Sequence, residues 1–96
     1  MKVLTPDVIQ EKLKSLSGWK LDNDAIKKEW KFRDFKEALR FINKIGELAE
    51  RHNHHPELFN VYNTVILRFN THDAGGITEK DFKIAADIDR LAPDRK

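Results

Sequence analysis

The sequence predicts an α+β domain: a four-stranded antiparallel sheet with three helices packed on one face, in the order helix, strand, strand, helix, strand, strand, helix. Three observations predict it. Apolar residues recur at helical spacing in three separate stretches. Between those stretches lie two pairs of short runs rich in β-branched and aromatic residues, each pair split by a polar turn. The chain has 96 residues with no repeat or low-complexity segment, so residues 1–96 are expected to form a single domain around one core.

Thr5-Pro6 opens the first helix, since a threonine hydroxyl can cap free N–H groups and proline suits the first helical position. Ile9, Leu13 and Leu16 then share a face, and Gly18 is expected to end the element. The run "WKLDNDAIKKEWKF" reads as a hairpin around Asp22-Asn23-Asp24, with Ile26, Trp30 and Phe32 on one side of its second strand. Asp34 with Glu37 three residues on has the form of a capping box. Behind it, Ala38, Phe41, Ile42, Ile45, Leu48, Ala49 and His52 follow helical spacing, giving a stripe wider than one sheet face needs. That helix must stop near Asn53 to His55, because the residue before Pro56 is pushed towards extended geometry. Leu58 to Thr71 reads as two strands joined at Tyr62-Asn63, a two-residue turn that uses asparagine's tolerance of positive φ. Val65, Leu67 and Phe69 face one way; Ile66, Arg68, Asn70 and His72 face the other. Gly75-Gly76 breaks the chain, and Thr78 caps a last helix carrying Ile84, Ala85, Ile88 and Leu91.

Composition removes several classes of function. With 40% hydrophobic and 35% charged residues the chain is globular rather than disordered. Its 18 basic and 16 acidic residues are interleaved, which denies it the basic stripe that nucleic-acid binding uses. It has no cysteine, hence no disulfide, thiolate nucleophile or cysteine-held metal. No apolar run approaches the ~20 residues needed to cross a bilayer, and Pro6 and Asp7 interrupt the start before a signal-peptide core develops. A cytoplasmic protein with no membrane or nucleic-acid partner is expected.

All four histidines, His52, His54, His55 and His72, lie in "HNHHPELFNVYNTVILRFNTHD". An antiparallel hairpin brings the end of its second strand back beside the start of its first, so His72 is expected to neighbour the His54-His55 pair. Imidazole titrates nearest neutrality and can give and take protons without special tuning. Metal binding is the rival, since three histidines can hold zinc; against it, adjacent side chains in extended chain point to opposite sides, and no H-E-x-x-H helix is present. A third reading makes them surface or capping residues. His52 suits it best, because it continues the apolar helix stripe and is expected to pack there.

The stretch "ERHNHHPELFNVYNTVILRFNTHDAGGITEKD" resembles the signature region of the pterin-4a-carbinolamine dehydratases, through Glu50, His54-His55-Pro56, Tyr62, His72 and Asp81. The resemblance implies dehydration of 4a-hydroxytetrahydropterin, the tetrahydrobiopterin-type carbinolamine left by pterin-dependent aromatic amino acid hydroxylases. The product would be quinonoid dihydropterin, and no metal or organic cofactor is implied. It carries catalytic roles to His54, His55 and His72, and pterin binding to Asn53, His54, His55, Asn70, Thr71, His72 and Asp73, with Trp19 near the pocket and Asp81 in support. Losing water from a carbinolamine needs one acid and one base; His55 and His72 are assigned the protons, and His54 the positioning of the pterin. Asp81 reads equally as the third residue of a capping box begun by Thr78, yet it shares the helix face of Ile84, Ala85 and Ile88, so it is expected to point inwards, where a carboxylate could orient a histidine as well as cap a helix. Animal members carry Asp before the histidine pair and Trp after it, where this chain has Asn53 and Leu58, a departure that bears on pocket shape. The resemblance also implies a homodimer or homotetramer. It leaves open a coactivator role through Phe41, Ile45 and Leu48 of the long helix, or an accessory role in molybdopterin metabolism.

Overall fold

The computed structural model describes residues 2–91. They form α1 (Pro6–Leu13), β1 (Lys20–Asp22), β2 (Ala25–Lys31), α2 (Phe35–His52), β3 (Glu57–Val61), β4 (Thr64–Phe69) and α3 (Glu79–Leu91), the predicted order, with a 3-10 turn at His72–Ala74. The strands are antiparallel in the order β1-β2-β4-β3, so β1 and β3 are the edges. Alternation places Val65, Leu67 and Phe69 of β4 with Ile26 and Trp30 of β2 on the face that the helices cover. Against that face pack Ala38, Phe41, Ile45, Leu48 and Ala49 of α2 and Ile84, Ala85 and Ile88 of α3. The wide stripe of α2 is thus consumed by the sheet and α3 together. Phe41 sits 5.0 Å from both the Trp30 and Phe32 rings, tilted contacts worth about 0.5–1.5 kcal/mol each beyond burial. The apolar residues that α2 leaves exposed are Phe35 and Leu39, and Phe41, Ile45 and Leu48, on which a coactivator surface would have rested, are core.

Local chemistry accounts for the element ends. Thr5 accepts from the Val8 N–H at 3.4 Å and Pro6 occupies the first turn of α1. The helix stops at Leu13, short of the Leu16 that periodicity suggested. Lys14, Ser15 and Leu16 each bond three residues back, and the Ser15 hydroxyl takes the Lys12 carbonyl at 2.8 Å, tightening the last turn. Leu16 still packs against the core. The first hairpin closes with Asp22 opposite Ala25, so its turn is Asn23-Asp24, with Asn23 left-handed at φ 57°. The second closes with Val61 opposite Thr64, the predicted two-residue turn. There the left-handed residue is Tyr62, at φ 50°. Asn63 serves differently: its amide donates to the Phe32 carbonyl and its own carbonyl accepts the Phe32 N–H, both at 2.8 Å, pinning the turn to the end of β2.

The opposite sheet face is held by Arg68. Its guanidinium bonds Glu57 on β3 and Asp22 on β1, both at 2.8 Å, bracing both edges from β4, and these carboxylates, Glu57 first, push it above its ordinary value. No helix among the described residues is long and apolar enough to cross a membrane.

Candidate functional site

The site begins where α2 ends. Asn53 adopts the left-handed conformation (φ 50°, ψ 45°), donates to the Glu50 carbonyl at 3.2 Å, and is followed by a His54 N–H that reaches back to the Ala49 carbonyl at 3.0 Å. This is the paired bonding of a Schellman cap, and asparagine is among the few residues besides glycine that enter it without strain. The reversal drives His54 inwards, where 7% of it is exposed and its ring lies 5.6 Å from Phe69. His55, one residue on, is thrown outwards.

Within the core His54 Nε2 lies 2.5 Å from Oδ1 of Asp81, whose side chain is wholly buried. A carboxylate in such a place must be satisfied by donors. Oδ2 accepts the Thr78 N–H at 2.9 Å and the Thr71 hydroxyl at 3.0 Å. Thr78 caps α3 by accepting the Lys80 N–H at 3.2 Å, so Asp81 completes the expected capping box and also grips a histidine 27 positions away. A carboxylate accepts, which sets the proton of the 2.5 Å contact on His54 Nε2 and leaves Nδ1 as the ring nitrogen turned away from Asp81.

His72 belongs to the 3-10 turn rather than to the face of β4, because the strand ends at Phe69 and an isolated bridge joins Thr71 to Gly76. That turn is gathered by the Thr71 carbonyl, which accepts the N–H groups of Ala74 and Gly75 at 3.0 Å, while Gly75 (φ 84°) turns the chain. His72 and Asp73 are exposed on it. His55 is exposed as well, its Nε2 2.5 Å from the Glu50 carboxylate. The hairpin therefore returns the His72 turn towards the His54 segment, and the physical link is Thr71 bonded to Asp81.

Other predicted residues fall elsewhere. Asn70 follows Phe69 and points to the opposite sheet face, where its amide donates to Asp24 at 3.3 Å. Its Oδ1 is buried without a hydrogen-bond partner. Trp19 is core, edge-on to Trp30 at 5.7 Å and 6.2 Å from Phe69, with its indole N–H on the Asp89 carboxylate at 3.1 Å. Lys28 shares that carboxylate at 2.9 Å, on the face where alternation sets it with Ile26 and Trp30. His52 is half-buried as expected, and its ring meets Asp87 of α3 at 2.9 Å. Among the described residues, no group of three His, Asp or Glu side chains is placed to hold a metal ion. Sequence reasoning missed the Glu50–His55 pair and the Thr71–Thr78 hydroxyl contact at 2.8 Å; Glu50 stands in the signature stretch, but its reach around the helix end depends on the fold.

Two consecutive histidines thus each face a carboxylate, one in the core and one in water. Such a pair, with a third histidine on an adjoining turn, has the means to hold a small polar molecule and move protons on it.

The family described as Pterin 4 alpha carbinolamine dehydratase matches residues 2–91. A protein of Sulfurisphaera tokodaii, provisionally named a pterin-4-alpha-carbinolamine dehydratase, is 47% identical over 95% of this chain and 98% of its own. One of Acidobacterium capsulatum with the same name is 48% identical over 95% of this chain and 99% of its own. A crystal structure from Brucella melitensis, described as a transcriptional coactivator/pterin dehydratase, superposes with a TM-score of 0.91 at 37% identity, covering 96% of this chain and 100% of that one.

Proposed function

The chain belongs to the pterin 4-alpha-carbinolamine dehydratase family and is a hydro-lyase, and we propose that it dehydrates 4a-hydroxytetrahydropterin to quinonoid dihydropterin by histidine acid–base chemistry. The C4a–O bond breaks and the departing oxygen takes a proton to leave as water. The neighbouring ring nitrogen loses its proton, and the electron pair released forms the new C=N bond. One protonated and one neutral imidazole complete the exchange with no net proton change, and neither metal nor organic cofactor is needed.

The observation that carries this reading is the buried link from His54 through Asp81 to Thr71, which joins the histidine pair before β3 to the His72 turn after β4. His55 and His72, both exposed, are assigned the protons. The Glu50 carboxylate beside Nε2 of His55 leaves Nδ1 as its exchanging nitrogen. His54, whose tautomer is fixed from behind, is assigned the recognition of the pterin, offering Nδ1 as an acceptor to a ring N–H. The step follows a hydroxylation that leaves the carbinolamine, and it returns the pterin for reduction.

Its partner besides the pterin is read as a second copy of the chain. Support comes from the unpaired edge β3, where Phe59 is 54% and Val61 58% exposed, an apolar rim that a free edge strand does not normally carry. Freshly generated 4a-carbinolamine, followed spectroscopically with and without the protein, tests the activity. A decay no faster than the uncatalysed one would refute it.

A further inference from the structure

Thr71 is 7% exposed, and both lone-pair and proton positions of its hydroxyl can be assigned from its neighbours. It lies 3.0 Å from Asp81 Oδ2 and 2.8 Å from the Thr78 hydroxyl. A carboxylate accepts, so the Thr71 proton points to Asp81, and the Thr78 proton must point to Thr71. Thr78 in turn accepts the Lys80 N–H at 3.2 Å. The chain of bonds therefore runs in one direction, from the first turn of α3 through two hydroxyls into Asp81, whose other oxygen accepts the hydrogen bond of His54 Nε2–H. Aligned bonds of this kind reinforce one another in a dry site. The main chain of the same residue builds the His72 turn, with the Thr71 N–H on the Gly76 carbonyl at 2.9 Å and the Thr71 carbonyl accepting from Ala74 and Gly75.

We propose that Thr71 is a positioning residue rather than a pterin contact. Its hydroxyl locks the Asp81 carboxylate, and through it the Nε2–H tautomer and orientation of His54, while its main chain carries His72. The proposal rests on the dehydratase reading for its kinetic consequence and on the hydrogen-bond geometry alone for its structural one.

The two contributions separate, because the turn is held by main-chain atoms and the lock by a side-chain oxygen. Thr71→Val keeps the β-branched shape and the extended backbone (φ −106°, ψ 93°) and strips the hydroxyl. Thr71→Ser restores it. The His54 ring is read by long-range ¹H–¹⁵N NMR in protein without pterin, where the parent and Thr71→Ser should show the Nε2–H pattern and Thr71→Val an averaged one. In the dehydration assay Thr71→Val should raise KM roughly tenfold, the low end for removing a group that orients a working imidazole, with kcat falling less, and Thr71→Ser should bring both back. In a His54→Ala background the same change should alter KM by less than about twofold, the margin within which uncoupled effects are measured. A full tenfold effect without His54, an unaltered His54 signature in Thr71→Val, or a serine variant no better than valine would overturn the proposal. Circular dichroism accompanies each variant, and Thr71→Ala, with the same expected readouts, replaces valine if that protein does not fold. A parent inactive on the carbinolamine would sink the dehydratase reading, yet the ring signatures would still decide the role of Thr71.

Discussion

Asp81→Asn is the sharpest perturbation available, since it exchanges one carboxylate oxygen for an NH₂ group and leaves the shape. Asp81 accepts from His54 at 2.5 Å, the Thr78 N–H at 2.9 Å and the Thr71 hydroxyl at 3.0 Å, all out of contact with water. Bonds to a charged acceptor contribute about 1.5–3 kcal/mol and neutral ones about 0.5–1.5 kcal/mol, so each bond retained by an amide oxygen loses on the order of 1 kcal/mol. The amide oxygen is best used on the side where two donors converge, keeping Thr71 and Thr78, and its NH₂ then meets His54. Two donors would face each other there unless the ring shifts its proton to Nδ1 and accepts at Nε2. The predicted loss is about 2–3 kcal/mol, a melting decrease of roughly 8–24 °C at about 4–8 °C per kcal/mol for a domain of this size. Ring ¹⁵N shifts should report His54 inverted from Nε2–H to Nδ1–H. With Nδ1 now a donor, the pterin loses its acceptor and KM should rise. A melting temperature within about 2 °C of the parent, less than about half a kcal/mol on that scale, together with an unchanged His54 tautomer, would refute the reasoning.

Replacing His55 or His72 by Ala should lower kcat by roughly 10²–10⁴-fold, the usual contribution of a positioned acid or base, with melting close to the parent because both rings are exposed; rates equal to the parent would remove them from the chemistry. His52→Ala breaks a half-buried contact to Asp87 between α2 and α3, so thermal melting should fall modestly while turnover is unmoved, and a large loss of turnover would place this ring in the site after all. Exhaustive chelation should leave the rate unchanged, and a stoichiometric metal whose removal abolishes activity would revive the zinc alternative. Sedimentation at micromolar concentration should show a dimer or tetramer, and Phe59→Lys with Val61→Lys should shift it towards monomer; a parent already monomeric would count against β3 as an interface.

What could be read from the sequence was what neighbouring residues decide among themselves. The Tyr62-Asn63 turn, the Asp34–Glu37 cap and the Thr78–Asp81 cap each depend on residues within a few positions, and each was legible. That Asp81 faces inwards and could orient a histidine was legible from its helix face; which histidine was not, because His54 approaches it from another helix end. Asn53 carried a readable signal, an asparagine just past an apolar stripe, but its left-handed turn decides which histidine goes inwards only once the core it faces exists. The strand was read two residues too long, to Thr71 rather than Phe69, because alternation cannot reveal where pairing stops before the loop folds back on Gly76; His72 was expected just past the strand end, and lies in that loop. Asn70 was assigned to the pterin by resemblance, although alternation already set it opposite Phe69, and the structure follows the alternation. Alternation with Ile26 and Trp30 already set Lys28 on the covered side, and what could not be read was the Asp89 carboxylate that meets it there.

The cap at Asn53 also gives the histidine pair a reading frame. His54 and His55 are the same chemical group on consecutive positions, and what tells them apart is the count of residues past the left-handed turn. Surface connections ordinarily absorb an added or missing residue. Here a deletion ahead of the pair would carry His55 into the seat against Asp81 and leave Pro56, without an N–H or an ionisable group, facing Glu50. An insertion would seat Asn53 instead, an amide able to bond Asp81 but unable to exchange its proton. Chain length at this one corner is therefore as much a part of the chemistry as the imidazoles, and substitutions ahead of the pair that keep the count should be tolerated far better than indels.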